Sequence, residues 1–250
     1  MRGPTHTEAE ELMPSMGQVL LVRHGQASWG TDDYDVLSPL GWEQGRILGA
    51  AMARRGVKPD RVVIGGMRRH RETCEALCDG AGWGAIAARS DDGWDEFDHL
   101  AMLDLVPAPF EGESPTRAEF QAWFEMATDR WITAGAAVGG ADAAVGGAVA
   151  GPEYVESFAA FGERVNRALR RVVLGMERTD TVLVITSGGP VATVAASLLE
   201  PEGARPSLWS QLNKVVVNTS VTKVVVGGRG TSVVSFNEHS HLEGDGLTYR

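Results

Sequence analysis

Two cysteines in 250 residues, Cys74 and Cys78, leave no disulfide framework to hold this chain together. They stand four apart in a segment that reads as helix, where neighbours on one turn are poorly placed for a disulfide. C-x3-C alone makes no zinc site. We read them as reduced, half-buried packing residues, which fits a reducing cytoplasm. Long apolar runs are missing too: none approaches the ~20 residues that a membrane-spanning helix needs. The opening residues, MRGPTHTEAEELMPSMG, are acidic and lack an apolar centre, so they do not read as a signal peptide. Positive charge is scarce, with 23 Lys and Arg against 33 Asp and Glu, a net charge of −10 and a pI near 5.1. That balance argues against nucleic acid or an anionic membrane as partner. Any anionic substrate must be held by a local cationic pocket against the overall field. No metal-ligand spacing is visible, and neither metal nor cofactor is expected.

What is present suits one large domain that buries roughly 70–75% of its unfolded surface. Residues 1–17 read as a disordered tail and 18–250 as a single domain. Gln18–Arg23 is a short apolar strand. In LSPLGWEQGRILGAAMARRG, Ser38 is placed as N-cap, Pro39 as first helical residue, and Gly56 as C-cap after Arg54 and Arg55. Arg61–Ile64 is a second strand and Met67–Cys78 a second helix. Glu113–Ala134 is helical, with Phe120, Trp123, Phe124, Ala127 and Trp131 at helix spacing, and the Trp123/Trp131 stripe reads as core. The Gly/Ala-rich segment Ala134–Gly151 reads as a flexible surface loop within an insertion spanning 93–152. Tyr154–Met176 is a long amphipathic helix, TVLVIT (Thr181–Thr186) a buried strand, and Val191–Leu199 the next helix. Two β-rich runs, Val215–Val226 and Thr231–Phe236, joined by GGRG, close the chain as a hairpin or two neighbouring strands. Strands with continuous apolar runs, each followed by a helix, predict an α/β fold: a mainly parallel central sheet with helices on both faces, in three layers α/β/α.

In such sheets, sites form beyond the carboxyl ends of the strands. Three segments lie there: RHG after the first strand, GGMRRHRET after the second, and TSGGP after TVLVIT. They supply a histidine, several arginines and a glycine-rich helix start. Arginine forks and helix N-termini both favour phosphate oxygens.

The ordered set resembles the histidine phosphatase superfamily, with its phosphoglycerate-mutase-like fold. RHG (Arg23, His24, Gly25) matches the family signature, Arg69 and Thr73 match its arginine four before a threonine, and Glu96 in WDEFDH its acidic loop residue. The resemblance spans Gln18 to Leu242. It implies that His24 attacks phosphorus and forms a phosphohistidine, with Arg23 and Arg69 neutralising the phosphoryl oxygens. It implies also that Glu96 protonates the leaving oxygen and then acts as base toward water, with Asp95 and Asp98 as rivals for that role. Arg68 and Arg71 are expected to face solvent. The expected activity is hydrolysis of a phosphomonoester, on a small molecule or a phosphorylated side chain, without metal. A homodimer is compatible with the sequence.

One position departs from the pattern. The family's Ser-His-Gly-Gly turn reads Thr186-Ser187-Gly188-Gly189 here, so Ser187 stands where a second histidine is expected. Losing that charge-assisted hydrogen bond forgoes ~1.5–3 kcal/mol. Ser187 keeps one hydroxyl donor, and the N–H groups of Gly188 and Gly189 can still face phosphate. His99 or His70 is a candidate for the missing imidazole. Ala27 is a lesser departure, since many members carry Ser or Thr there. His239 and His241 match a family end-pattern and have no derived role. Three alternatives stand beside the phosphatase. One is a weakened relative that binds phosphorylated ligands without turnover. Another is a mutase, disfavoured because FDHLAML lacks a basic-aromatic insert. The last is a serine hydrolase on Ser187, disfavoured because Ile185 stands where the nucleophile elbow wants glycine.

Overall fold

The computed structural model describes residues 16–28, 35–110, 115–136, 154–200 and 206–249. Residues 1–15 of the expected tail and most of the expected loop 134–151 therefore lie outside the described residues, while Gly17, expected in that tail, opens the first strand. Six strands form one sheet: β1 (Gly17–Arg23), β2 (Arg61–Ile64), β3 (Ala88–Ser90), β4 (Thr181–Thr186), β5 (Val221–Gly227) and β6 (Gly230–Glu238). Their order is β3-β2-β4-β1-β5-β6. The β3, β2, β4 and β1 pairings are parallel, while β5 and β6 run antiparallel at one side. The expected mainly parallel α/β architecture is thus the observed one.

The layers follow from the pleat of β1. Val19 and Leu21 pack into a cluster with Phe161, Val165 and Trp209, whereas Leu20 and Val22 pack on the other face with Leu48, Met52 and Leu77. Helices α1 (Pro39–Arg54) and α2 (Arg68–Ala81) cover the second face. The first face is covered by α4 (Arg117–Ala136), α5 (Phe158–Leu174) and α6 (Gly188–Leu199), with α7 (Pro206–Val215) packed against α6. A short α3 (His99–Asp104) lies between β3 and α4. Phe97 stacks on Trp131 with ring centroids 4.7 Å apart. Cys74 and Cys78 are free and fully rather than half buried, and burial pushes the Cys74 thiol up to about 12.

Helix α1 starts as expected. Ser38 is extended and its Oγ accepts from the Gly41 N–H at 3.0 Å, with Pro39 next. At the other end Arg55 is the cap and Gly56, at φ +70°, lies one residue beyond it. Helices α1 and α2 touch backbone to backbone. A Cβ on Gly49 would lie 2.0 Å from the Leu77 carbonyl oxygen, and one on Gly80 2.0 Å from that of Arg46. Gly49→Ala is expected to cost about 3 kcal/mol by overpacking, lowering the melting temperature by roughly 6–12 °C. Gly162, in α5 with no neighbour within 4 Å of its missing Cβ, is the control. Gly162→Ala should leave the melt unchanged or raise it.

The expected strand Val215–Val226 is corrected. Val215 ends α7, the chain turns through Val216–Ser220, and β5 begins only at Val221. The turn is fixed by non-local bonds: Asn218 Nδ2 donates to the His24 carbonyl at 3.0 Å, and Thr219, at φ +58°, donates its N–H to the Arg23 carbonyl at 3.0 Å.

Candidate active site

Register builds the centre. Arg23 pairs with Thr186 across β1 and β4, so the next residues, His24 and Ser187, leave the sheet side by side. The His24 N–H donates to the Thr186 carbonyl at 2.8 Å. Gly25 then passes so close to the first turn of α1 that a Cβ there would lie 2.4 Å from the Gly41 carbonyl oxygen. Its N–H donates to Thr73 Oγ1 at 3.0 Å, while that hydroxyl donates to the Arg69 carbonyl at 2.7 Å. The four-residue spacing of Arg69 and Thr73 thereby ties the histidine turn to the start of α2.

His24 Nδ1 lies 2.7 Å from the Gly25 carbonyl oxygen. A carbonyl only accepts, so the neutral ring carries its proton on Nδ1 and keeps the lone pair on Nε2. Burial first, then Arg69, Arg23 and His70, hold His24 well below the ordinary histidine value. The ring is thus neutral at physiological pH.

The two arginines are preset by different partners. Arg23 donates to the carbonyls of Val216 and Tyr249. Arg69 is buried and ion-pairs with Asp35 at 2.8 Å, while the Arg68 N–H donates to the same carboxylate at 2.7 Å. Arg68 and Arg71 are exposed on α2, as expected, and Arg68 pairs with Glu72.

Glu96 follows a short 3-10 turn (Asp92–Trp94) that Arg164 organises. Arg164 forks onto Glu156 and donates to the carbonyls of Asp92, Gly93 and Asp95. Glu96 Oε2 accepts from the Gly189 N–H at 3.1 Å, and burial raises its carboxyl above the usual range. The expectation that Gly189 faces phosphate is corrected here, since this amide holds Glu96. A Cβ on Gly189 would lie 2.1 Å from Glu96 Oε1, which explains the glycine. Asp95 instead accepts from the Gly66 N–H, and Asp98 caps α3 by accepting from the Ala101 N–H.

These groups open on one cavity of about 480 Å³. Arg23, His24, Arg69, Glu96 and Gly188 line it. Phe97, His99, Phe120, Phe124 and Pro39 also line it, with Asn213 and Asn218. On α4, Trp131 is core and Trp123 packs against it partly buried, while Phe120 and Phe124 reach the cavity. Ser187 and His70 are wholly buried, with His70 Nε2 2.8 Å from Ser187 Oγ, and His99 lies among the cavity-lining residues. His241 Nε2 lies 3.1 Å from Thr219 Oγ1, under the Asn218 turn, and burial lowers it to about 4. Among the described residues no His, Cys, Asp and Glu cluster could hold a metal ion. No helix there is long and apolar enough to cross a membrane.

Sequence reasoning missed Asp35, Asn218 and Arg164. Asn218-Thr219-Ser220, between two valine runs, carried a turn signal. Asp35 and Arg164 act across long sequence separations and carried none.

The family model described as the histidine phosphatase superfamily (branch 1) matches residues 19–239. A 2,3-bisphosphoglycerate-dependent phosphoglycerate mutase from Sinorhizobium fredii is 33% identical over 96 residues, covering 36% of this chain and 45% of that protein. The chain thus matches under half the length of that curated relative. Among solved structures, a phosphoserine phosphatase mutant from Entamoeba histolytica in complex with phosphoserine superposes with a TM-score of 0.62 at 17% identity. That match covers 91% of this chain and all of that one. A mycobacterial glucosyl-3-phosphoglycerate phosphatase gives 0.58 at 18% identity, over 88% and 98% of the two chains. At such identities the structures speak for the fold. The match of the family model across most of the sequence goes further: this chain belongs to branch 1 of the histidine phosphatase superfamily.

Proposed function

We propose that the protein is a phosphatase that hydrolyses a phosphomonoester through a phosphohistidine on His24, with Glu96 as proton donor. The observation that carries this reading is the contact of His24 Nδ1 with the Gly25 carbonyl, which leaves Nε2 unprotonated in a cavity that Arg23, Arg69 and Glu96 also line. Nε2 attacks phosphorus in line, the P–O ester bond breaks, and protonated Glu96 gives its proton to the leaving oxygen. Water then attacks the phosphohistidine, Glu96 takes the proton, and phosphate leaves with His24 neutral again. Arg23 and Arg69 balance the charge on the phosphoryl oxygens, helped by the α6 N-terminus at Ser187 and Gly188. A ligand-binding relative without turnover is less well supported, because nucleophile, both arginines and acid all come together. The free thiols support a reducing, cytoplasmic setting.

The leaving group we assign is uncharged and apolar or aromatic. Besides His99, the cationic side chains among the described cavity-lining residues are Arg23 and Arg69, both beside His24, and the wall adds Phe97, Phe120, Phe124 and Pro39. A second phosphate or a carboxylate would find no further arginine or lysine among the described cavity-lining residues, which also weighs against a phosphoglycerate mutase. The test is a panel of 1-naphthyl phosphate, phosphoserine and 3-phosphoglycerate. The aryl ester should exceed 3-phosphoglycerate in kcat/KM by roughly tenfold or more, about 1.4 kcal/mol. Equal or reversed rates would discard the assignment of the leaving group. No turnover of any ester would discard the phosphatase.

A further inference from the structure

Ser187 occupies the N-cap of α6 without capping the helix by its side chain. Its hydroxyl goes instead to His70 Nε2, 2.8 Å away, on a different element. Both residues are wholly buried, and the ring of His70 lies 5.8 Å, centroid to centroid, from that of His24. A buried polar pair of this kind, away from solvent and beside the reacting ring, calls for a reason.

The fold makes room for this imidazole. A Cβ on Gly65 would lie 2.3 Å from His70 Nδ1 and 2.7 Å from Asp95 Oδ1. Nδ1 faces the Gly65 carbonyl off the geometry of a good hydrogen bond and lies 3.9 Å from Asp95 Oδ1. The charged and titratable groups around His70 are Arg69 on its own helix, His24 at the end of β1 and Asp95 on the loop after β3. Burial and Arg69 hold His70 well below the ordinary histidine value, which favours the neutral ring. The carbonyl and the carboxylate both favour a proton on Nδ1, so Nε2 accepts the Ser187 O–H.

We propose that His70, acting through Ser187, supplies from helix α2 the second imidazole that the turn after β4 lacks. When a phosphoryl group arrives beside His24, its negative charge favours a second proton, taken from solvent, on His70 Nε2. The Nε2–H then donates to Ser187 Oγ, and the freed Ser187 O–H donates to a phosphoryl oxygen. One proton is gained on binding and returned on phosphate release, and no covalent bond changes at either residue. His70 is thus a positioning residue, and Ser187 the group that touches the phosphoryl. The order Ser187, His70, Asp95 also matches a nucleophilic serine triad, but at 3.9 Å the Nδ1 to Asp95 gap is too long for the orienting hydrogen bond a triad needs.

This inference rests on the phosphatase reading, and its test separates the two. With 1-naphthyl phosphate, His70→Leu and Ser187→Ala should each lower kcat/KM by roughly 10- to 100-fold, chiefly in kcat. The double variant should be no slower than the slower single one. His70→Gln, whose amide can still donate to Ser187, should stay within about tenfold of wild type. The exchange His70→Ser with Ser187→His should recover at least part of the loss, which a merely structural role would not allow. Calorimetry with vanadate in buffers of different ionisation enthalpy should show proton uptake in wild type and none in His70→Gln. The proposal is overturned if folded His70→Gln and His70→Leu both keep wild-type kinetics and proton uptake. It is overturned equally if the single losses multiply in the double variant, or if a fluorophosphonate labels Ser187. Should the wild type itself release no phosphate, the phosphatase reading fails first and takes this one with it.

Discussion

His24→Ala is expected to lower phosphate release by on the order of 10⁵–10⁶, because it removes the atom that accepts the phosphoryl group. Nothing nearby replaces it at low cost. His70 is wholly buried with Nε2 on Ser187, and a serine hydroxyl is a far weaker nucleophile than a neutral imidazole. His24→Asn separates chemistry from folding. Its amide can still donate to the Gly25 carbonyl, which His24 Nδ1 meets at 2.7 Å, but it has no lone pair in place of Nε2. Both variants should melt within a few degrees of wild type, keep affinity for inorganic phosphate, and be inactive. An asparagine variant with more than about 1% of wild-type activity would remove His24 from the centre of the mechanism.

Glu96→Gln is expected to lower kcat by roughly 10²–10⁴. The loss should be largest for alkyl phosphates, whose leaving oxygens most need a proton, and smallest for aryl phosphates. The pH profile gives the sign. Burial raises the Glu96 carboxyl above its ordinary 4.5, so its acid form persists to higher pH and activity falls as pH rises through the raised value. Burial and the two arginines lower His24 below 6.5, so its neutral form persists to lower pH and activity falls only once that lower value is crossed. The Glu96→Gln profile should lose the alkaline limb and keep the acid one. An unchanged alkaline limb would point to another acid, and Asp95, also raised by burial, is then the residue to substitute.

The sheet and the site differed in how far they could be read from the sequence. Strands β1 and β4 announce themselves as continuous apolar runs because both faces are covered, and the Ser38-Pro39 start of α1 is local chemistry. RHG, Arg69 with Thr73, and Glu96 could be found because turn, helix start and loop each carry their own signal. Helix α7 was hidden because its C-terminal valine runs into Val216 and Val217, which look like strand and instead pack as buried turn. Asp35, Arg164 and the choice of His70 beside Ser187 depend on contacts between segments up to 117 residues apart. No window of sequence contains them. The Gly188-Gly189 amides show the same limit: the helix start was legible, whereas the commitment of Gly189 to Glu96 needed the loop after β3 to be in place.

The central claim is that the phosphoryl group passes through Nε2 of His24, and quenching the wild type within milliseconds of mixing with a ³²P-labelled aryl phosphate tests it most directly. The account predicts a label that survives alkali, is lost in acid, and maps by peptide mass spectrometry to His24. A label that is acid-stable and maps to Ser187, or steady turnover with no labelled enzyme at any time, would contradict it.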